Sequence, residues 1–201
     1  MTEAGTTRDR IIDTAMALAA EQGWHDVSLN AVAGQLGLTL AEIQAVFRDR
    51  DAIADAWFTR ALQAMLAPPP DAFGELPASA RAEMMILRWF RAQSTHARVA
   101  GRMLLAKAWP SHPHHWGPMV FDLSRLVHWW LDAARIEHTG LRRMAEEVFL
   151  TGLLLRALCA WQADARAGEA EALPRTARVL RGSLAWLDRG CGGLPVRSRR
   201  A

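Results

Sequence analysis

Three closely spaced histidines, His112, His114 and His115, are the residues with the clearest capacity for chemistry. Imidazole nitrogens are common zinc ligands, so a metal site is one interpretation. No cysteine lies nearby and the histidines lack the helical i, i+4 spacing, which favours a solvated loop instead. The chain also has no nucleophile–base arrangement, phosphate-binding loop, dinucleotide fingerprint or paired-carboxylate motif. We therefore expect no catalytic, metal or cofactor site and no enzyme.

A larger set of bulky apolar side chains could bind a ligand without catalysis. The chain has nine tryptophans and eight methionines but no tyrosine. Such side chains between the helices of a bundle favour an apolar ligand, such as a fatty acyl, isoprenoid or aromatic compound. An ordinary packed core is the alternative for each residue. The ligand-binding candidates are Trp57, Met85, Trp89, Met103, Trp109, Trp116, Phe121, Trp129, Phe149 and Trp161.

These residues lie in a chain whose apolar positions recur with helical periodicity, without alternating segments typical of strands. A linker at 67–77 contains three consecutive prolines at 68–70, which end the preceding helix. The spacing predicts an all-α protein of about nine helices. Their expected ranges are 7–22, 28–36, 39–47, 51–66, 78–93, 95–109, 117–134, 140–167 and 174–188.

The second and third predicted helices form a helix-turn-helix pattern. Ser28 is a candidate N-cap for the first of them, and Gly37 ends it. Thr39 and Glu42 have the T-x-x-E spacing of a capping box, which opens the second helix.

A longer string of residues around this pattern carries a family resemblance. Gly23-Trp24, Val27-Ser28, Val32-Ala33, Gly37-Leu38-Thr39 and Phe47 occur in the order and spacing of the N-terminal domain of TetR/AcrR regulators. The chain resembles this family closely over about 55 residues. The resemblance implies a small DNA-binding domain at 1–50 and a helical ligand-binding and dimerisation domain at 51–189. A basic tail at 190–201 is expected to be disordered.

The resemblance also implies which residues contact DNA. Ser28, Thr39 and Arg50 would contact phosphates, where helix N-termini favour an anion. Gln44 could pair with adenine, and Leu40 and Ala41 could contact thymine methyl groups. The full set of DNA-binding candidates is Ser28, Thr39, Leu40, Ala41, Gln44, Arg48 and Arg50.

The charge distribution supports an alternative function. Residues 1–60 hold five basic and nine acidic side chains, whereas residues 174–201 hold seven arginines and one aspartate. The chain is also similar to TetR-fold accessory proteins of ubiquinone biosynthesis, which bind lipids or isoprenoids and dock on membranes through a final amphipathic helix. Here 174–188 places Val179, Leu180, Leu184 and Leu187 on one side, near Trp186. That basic amphipathic helix favours a membrane surface, with packing in a dimer interface as the alternative.

The first interpretation is a TetR-type repressor that binds a palindromic operator as a dimer and is released by a hydrophobic effector. Small residues among leucines at 140–167 favour a homodimer built from the last two helices. The N-terminus lacks the apolar region of a secretory signal, and the two cysteines form no disulfide framework, so we expect a cytoplasmic protein. The second interpretation is a TetR-fold accessory protein that binds a lipid or isoprenoid and not DNA, with a peripheral contact of 174–201 at the inner membrane.

Overall fold

Nine α-helices make up most of the chain in the computed structural model, which describes residues 3–107 and 116–190, with side chains for 6–104 and 123–188. The described residues contain no strand, which confirms the predicted all-α class. Short 3₁₀ turns lie at Trp24–Asp26, Asp71–Glu75, Ser94–His96 and Leu187–Gly190. The helices are α1 (Glu3–Gln22), α2 (Leu29–Leu36), α3 (Leu40–Val46), α4 (Arg50–Leu66), α5 (Ala78–Arg91), α6 (Ala97–Lys107), α7 (Trp116–Ala133), α8 (Gly140–Arg166) and α9 (Pro174–Leu184).

Helices α1 to α3 and the start of α4 form the N-terminal unit. Its core contains Ile11, Val32 and Ile43, each fully buried. Arg60 of α4 ties the unit together, because its guanidinium bonds the carboxylates of Asp9 and Asp13 on α1. Helix α4 therefore belongs to both parts of the chain, since it begins beside α3 and continues against α5 and α7.

Helices α5 to α9 form a bundle around large aromatic side chains. Trp130, Trp161 and Phe90 are fully buried, and the indole N–H of Trp130 donates to the carbonyl of Ala82 at 2.7 Å. This bond joins α7 to α5 and satisfies one polar group in the core.

The apolar face of α9 packs inside the bundle, against α5 and α8. Leu180, Leu184 and Leu187 have exposures of 0%, 0% and 1%. Val179 packs against this core half-buried, and Trp186 meets the Phe149 ring edge-on. The apolar face was expected to meet either a membrane surface or a dimer partner. Both expectations are wrong, because α5 and α8 of the same chain cover the face. Among the described residues, no helix is long and apolar enough to cross a membrane.

Candidate DNA-binding and ligand-binding sites

A tight left-handed turn sets the angle between α2 and α3. Gly37 has φ 66° and ψ 29°, a conformation that glycine adopts at little cost, and its N–H bonds the carbonyls of Ala33 and Gly34. At the other end of α2, the Ser28 hydroxyl accepts from the Ala31 N–H at 3.1 Å. The helix-turn-helix is therefore defined by local hydrogen bonds at both ends of α2.

The predicted capping box at the start of α3 is present. The Thr39 hydroxyl accepts from the Glu42 N–H at 3.3 Å, and the Glu42 carboxylate accepts from the Thr39 N–H at 2.8 Å. The Thr39 N–H and the Thr39 hydroxyl both donate to the Glu42 carboxylate, and these two bonds lower the pKa of Glu42. Glu42 thus stabilises the helix start and is engaged there rather than free to contact a base.

One face of α3 is held in the core while the other is open. Ile43 is fully buried, whereas Leu40 is 47% exposed and Ala41 and Gln44 are also exposed. The open face offers one amide that can both donate and accept, flanked by apolar groups, which is the chemistry expected at the edges of an adenine–thymine pair.

The structure gives Arg50 a role that the sequence reasoning missed. Its Nη1 donates to the carbonyls of Trp24, His25 and Val27, at 3.3, 2.8 and 3.2 Å. The guanidinium therefore fastens the turn after α1 to the start of α4, and the predicted phosphate contact is left to its other nitrogens.

Two other arginines lie beside the end of α3. Arg48 is mostly exposed and pairs with the neighbouring Asp49 at 3.0 Å. Arg8 of α1 lies 4.6 Å above the Phe47 ring, an interaction between residues 39 positions apart in the chain. Arg8 was not among the predicted DNA contacts, because spacing along the sequence does not bring it near α3.

Much of the acidic excess of the N-terminal unit has a structural explanation. Asp9 and Asp13 pair with Arg60, and Glu42 and Asp49 accept from backbone N–H groups at the starts of α3 and α4. Carboxylates are stabilising at helix N-termini. The number of acidic residues in the N-terminal unit is therefore a poor guide to the charge on the exposed face of α3.

A cavity of about 380 Å³ lies between α4, α5, α6, α7 and α8. Eight of its eleven lining residues are apolar and three, Asp55, Thr59 and Arg125, are polar. Space of this size with a few polar groups suits a small, largely apolar organic molecule. The apolar lining consists of Phe58, Leu62, Trp89, Leu104, Leu123, Leu126, Trp129 and Leu158.

The predicted ligand-binding residues separate into groups. Trp89 and Trp129 line the cavity. Phe149 lies at the surface, 38% exposed, against Trp186. Trp109 is outside the described residues, as are the side chains of Trp116 and Phe121. The remaining four pack in the core without lining the cavity, namely Trp57, Met85, Met103 and Trp161.

Sequence reasoning missed Phe58 and Leu62, which line the cavity from α4. Their i, i+4 spacing, with Asp55 and Thr59 on the same side, was a signal for a shared helix face. The tryptophans were predicted to bind the ligand because of their size. Size does not distinguish a residue that packs in the core from one that lines a cavity.

A stripe of apolar side chains on α8 is exposed, with none of the other described residues covering it. Leu141 is 84% exposed, Met144 62%, Val148 77% and Leu155 51%. Steps of three, four and seven residues place them along one side of the helix. A second molecule is the simplest way to cover such a stripe.

No family model and no curated protein matches this chain. Several solved structures do match it. One is the crystal structure of a TetR transcriptional regulator from Nitrosomonas europaea ATCC 19718. Its sequence is 33% identical to this one, the TM-score is 0.75, and the alignment covers 90% of this chain and 99% of the regulator. A TetR transcriptional regulator from Rhodococcus sp. RHA1 is 16% identical, with a TM-score of 0.62 and coverages of 92% and 97%, and supports the fold alone.

Proposed function

Because this chain belongs to the TetR family of transcriptional regulators, we propose that it is a dimeric repressor released from its operator by a hydrophobic small molecule. One observation carries the proposal, namely that the apolar cavity is walled by α4, the helix that begins beside α3. A ligand there would press on the element that positions the DNA-binding unit.

The exposed face of α3 supports DNA binding. Gln44 would pair with adenine in the major groove, with Leu40 and Ala41 against thymine methyl groups. Ser28 and Thr39 lie at helix starts, where phosphates would bind. Arg8 lies over the Phe47 ring and the exposed Arg48 follows Phe47 in the chain, and both would neutralise phosphates. We infer that an operator half-site includes an adenine–thymine pair opposite Gln44.

The α8 stripe supports a twofold dimer. In a twofold interface the same patch on each molecule meets its counterpart, so Leu141, Met144, Val148 and Leu155 would be buried twice.

Cavity filling then gives a mechanism of release. Phe58 and Leu62 line the cavity one turn apart on α4. A ligand wedged between them and Trp129 would favour a conformation with α4 displaced. The two copies of α3 would leave the separation of successive major grooves, roughly 34–36 Å or a multiple of it.

A matched pair of glutamine variants tests operator recognition. With the DNA upstream of the gene that encodes the chain, we expect Gln44→Ala to weaken specific binding about tenfold, because a bidentate base contact is worth roughly 1–3 kcal/mol. Gln63→Ala, at an exposed position of α4, should leave the affinity unchanged. Equal affinities for wild type and Gln44→Ala would refute recognition through this face of α3.

A further inference from the structure

A second, polar groove lies where the N-terminal unit meets the bundle. Its volume is about 500 Å³, and it is separate from the apolar cavity, with which it shares no lining residue. One wall is the end of α1, at Ala19, Ala20 and Glu21. The others are residues 94–99 with Arg102, and the end of α8 at Ala165 with the following turn. Three separate segments thus enclose a recess that has no role in the proposed function.

Two arginines give this groove its chemistry. Arg98 and Arg102 are four residues apart on α6, so their side chains lie on the same side of the helix. Both are exposed, and among the described residues neither makes a hydrogen bond or salt bridge. Glu21 lies across the groove without pairing to either. Two free guanidinium groups with one face in common form a site for an anion.

The remaining polar groups of the groove add hydrogen-bonding capacity. It is also lined by Ser94, Thr95 and His96, whose side chains carry two hydroxyls and an imidazole. The buried Nδ1 of His96 has no hydrogen-bond partner among the described residues. Burial lowers the pKa of His96, partly offset by Asp13, which favours a neutral imidazole. A neutral ring can serve an anion as a single N–H donor.

We propose that this groove binds a small polar molecule carrying a phosphate group, held by Arg98 and Arg102. A phosphate presents three acceptor oxygens, enough for two guanidinium groups and the hydroxyls together. A carboxylate has two oxygens, which one bidentate arginine can occupy. The volume leaves room for a polar body beyond the phosphate, with Glu21 available to accept from its hydroxyl or amino groups.

The location connects this site to the DNA-binding unit. The His96 ring packs edge-on against Trp57 of α4, with ring centroids 5.6 Å apart. The opposite wall belongs to α1 itself. A bound molecule would therefore join the two parts of the chain at a point that the apolar ligand does not touch.

Inorganic pyrophosphate is the probe for this site, titrated calorimetrically into the full-length protein at low ionic strength. We expect one molecule bound per chain, and at least about tenfold weaker binding to the double variant Arg98→Gln/Arg102→Gln, because each charge-assisted hydrogen bond contributes roughly an order of magnitude in affinity. Arg178→Gln is the matched control, since Arg178 is an exposed helical arginine outside the groove. Citrate should bind several-fold more weakly than pyrophosphate.

Three outcomes would overturn the proposal. They are an absence of pyrophosphate binding, an equal loss in Arg178→Gln, and citrate binding as tight as that of pyrophosphate. A titration with upstream DNA tests the competing role of these arginines. A fourth outcome would also overturn the proposal: if the double variant lost operator affinity as much as pyrophosphate affinity, the arginines would be DNA contacts. Retained operator affinity in the double variant supports the site, independently of whether Gln44 reads the operator.

Discussion

Asp164 carries a prediction about how the bundle is held together. Its carboxylate is fully buried at the end of α8 and accepts from the N–H groups of Arg175 and Thr176, at 3.1 and 2.9 Å, and from the Thr176 hydroxyl at 2.7 Å. It therefore caps the start of α9 from the last turn of α8. We expect Asp164→Ala to destabilise the protein strongly.

The magnitude follows from the donors that the substitution leaves unpaired. Thr176 is fully buried, so its N–H and hydroxyl would both stay without water, at roughly 1–3 kcal/mol each. Arg175 is exposed, so its N–H can bond water instead. The expected loss is about 3 kcal/mol, or a Tm lower by roughly 6–12 °C for a chain of this length.

The effect should also depend on pH. Burial raises the pKa of Asp164, but the hydrogen bonds from Thr176 and Arg175 outweigh it and hold the pKa below 3.8, its ordinary value. A carboxylate with a lowered pKa stabilises the fold fully above the unfolded value, and this stabilisation is lost as pH falls through the folded value. The stability difference between wild type and Asp164→Asn should therefore be constant near neutrality and shrink below about pH 4.

Urea unfolding of Asp164→Ala, Asp164→Asn and Glu171→Gln measures these differences. Glu171 is an exposed carboxylate in the turn between α8 and α9, and its substitution should cost less than about 0.5 kcal/mol. A loss in Asp164→Ala no larger than that of the control would refute the cap. A difference between wild type and Asp164→Asn that widens in acid would refute the sign of the pKa shift.

Three further substitutions probe other contacts. Val148→Glu should convert a dimer to a monomer, as measured by sedimentation, because it places a charge in the α8 stripe. Leu66→Glu, at an exposed leucine outside α8, should leave the dimer intact. Equal behaviour of the two variants would exclude the stripe as the interface. Arg50→Ala should lose about 1–2 kcal/mol in urea unfolding, because three carbonyls lose a charged donor, and a loss below about 0.5 kcal/mol would contradict that role. Trp129→Ala should weaken binding of the dye anilinonaphthalene sulfonate about tenfold, as measured by fluorescence, because Trp129 lines the cavity. Phe149→Ala is the control and should bind the dye as wild type does. An unchanged dye affinity in Trp129→Ala would show that Trp129 is not part of the ligand site.

Local signals predicted the helices well. Periodicity located nine helices, and glycine, proline and capping residues marked their ends, because these signals act within a few residues. Thr39 and Glu42 form the predicted capping box for the same reason. Helix α1 begins about four residues earlier than predicted and α9 ends about four residues earlier, because helix boundaries are the least reliable part of a pattern-based prediction.

Contacts between distant elements were not predictable in this way. The pattern in α9 showed which residues share a face, but it could not show that α5 and α8 cover that face. The type and position of Arg50 predicted a phosphate contact, but they could not show that its Nη1 also donates to three carbonyls more than 20 positions away. The α8 stripe was likewise hidden among leucines of which some, such as Leu153 and Leu154, face the core.

The salt dependence of DNA binding tests the central claim most directly. Affinity for the upstream DNA and for an unrelated duplex would be measured over a range of salt concentrations. A repressor should bind the upstream DNA with sub-micromolar affinity, far above the unrelated duplex, and log affinity should fall steeply with log salt as phosphate contacts release counterions. Equal affinities for the two duplexes, with little salt dependence, would contradict a DNA-binding role for the exposed face of α3.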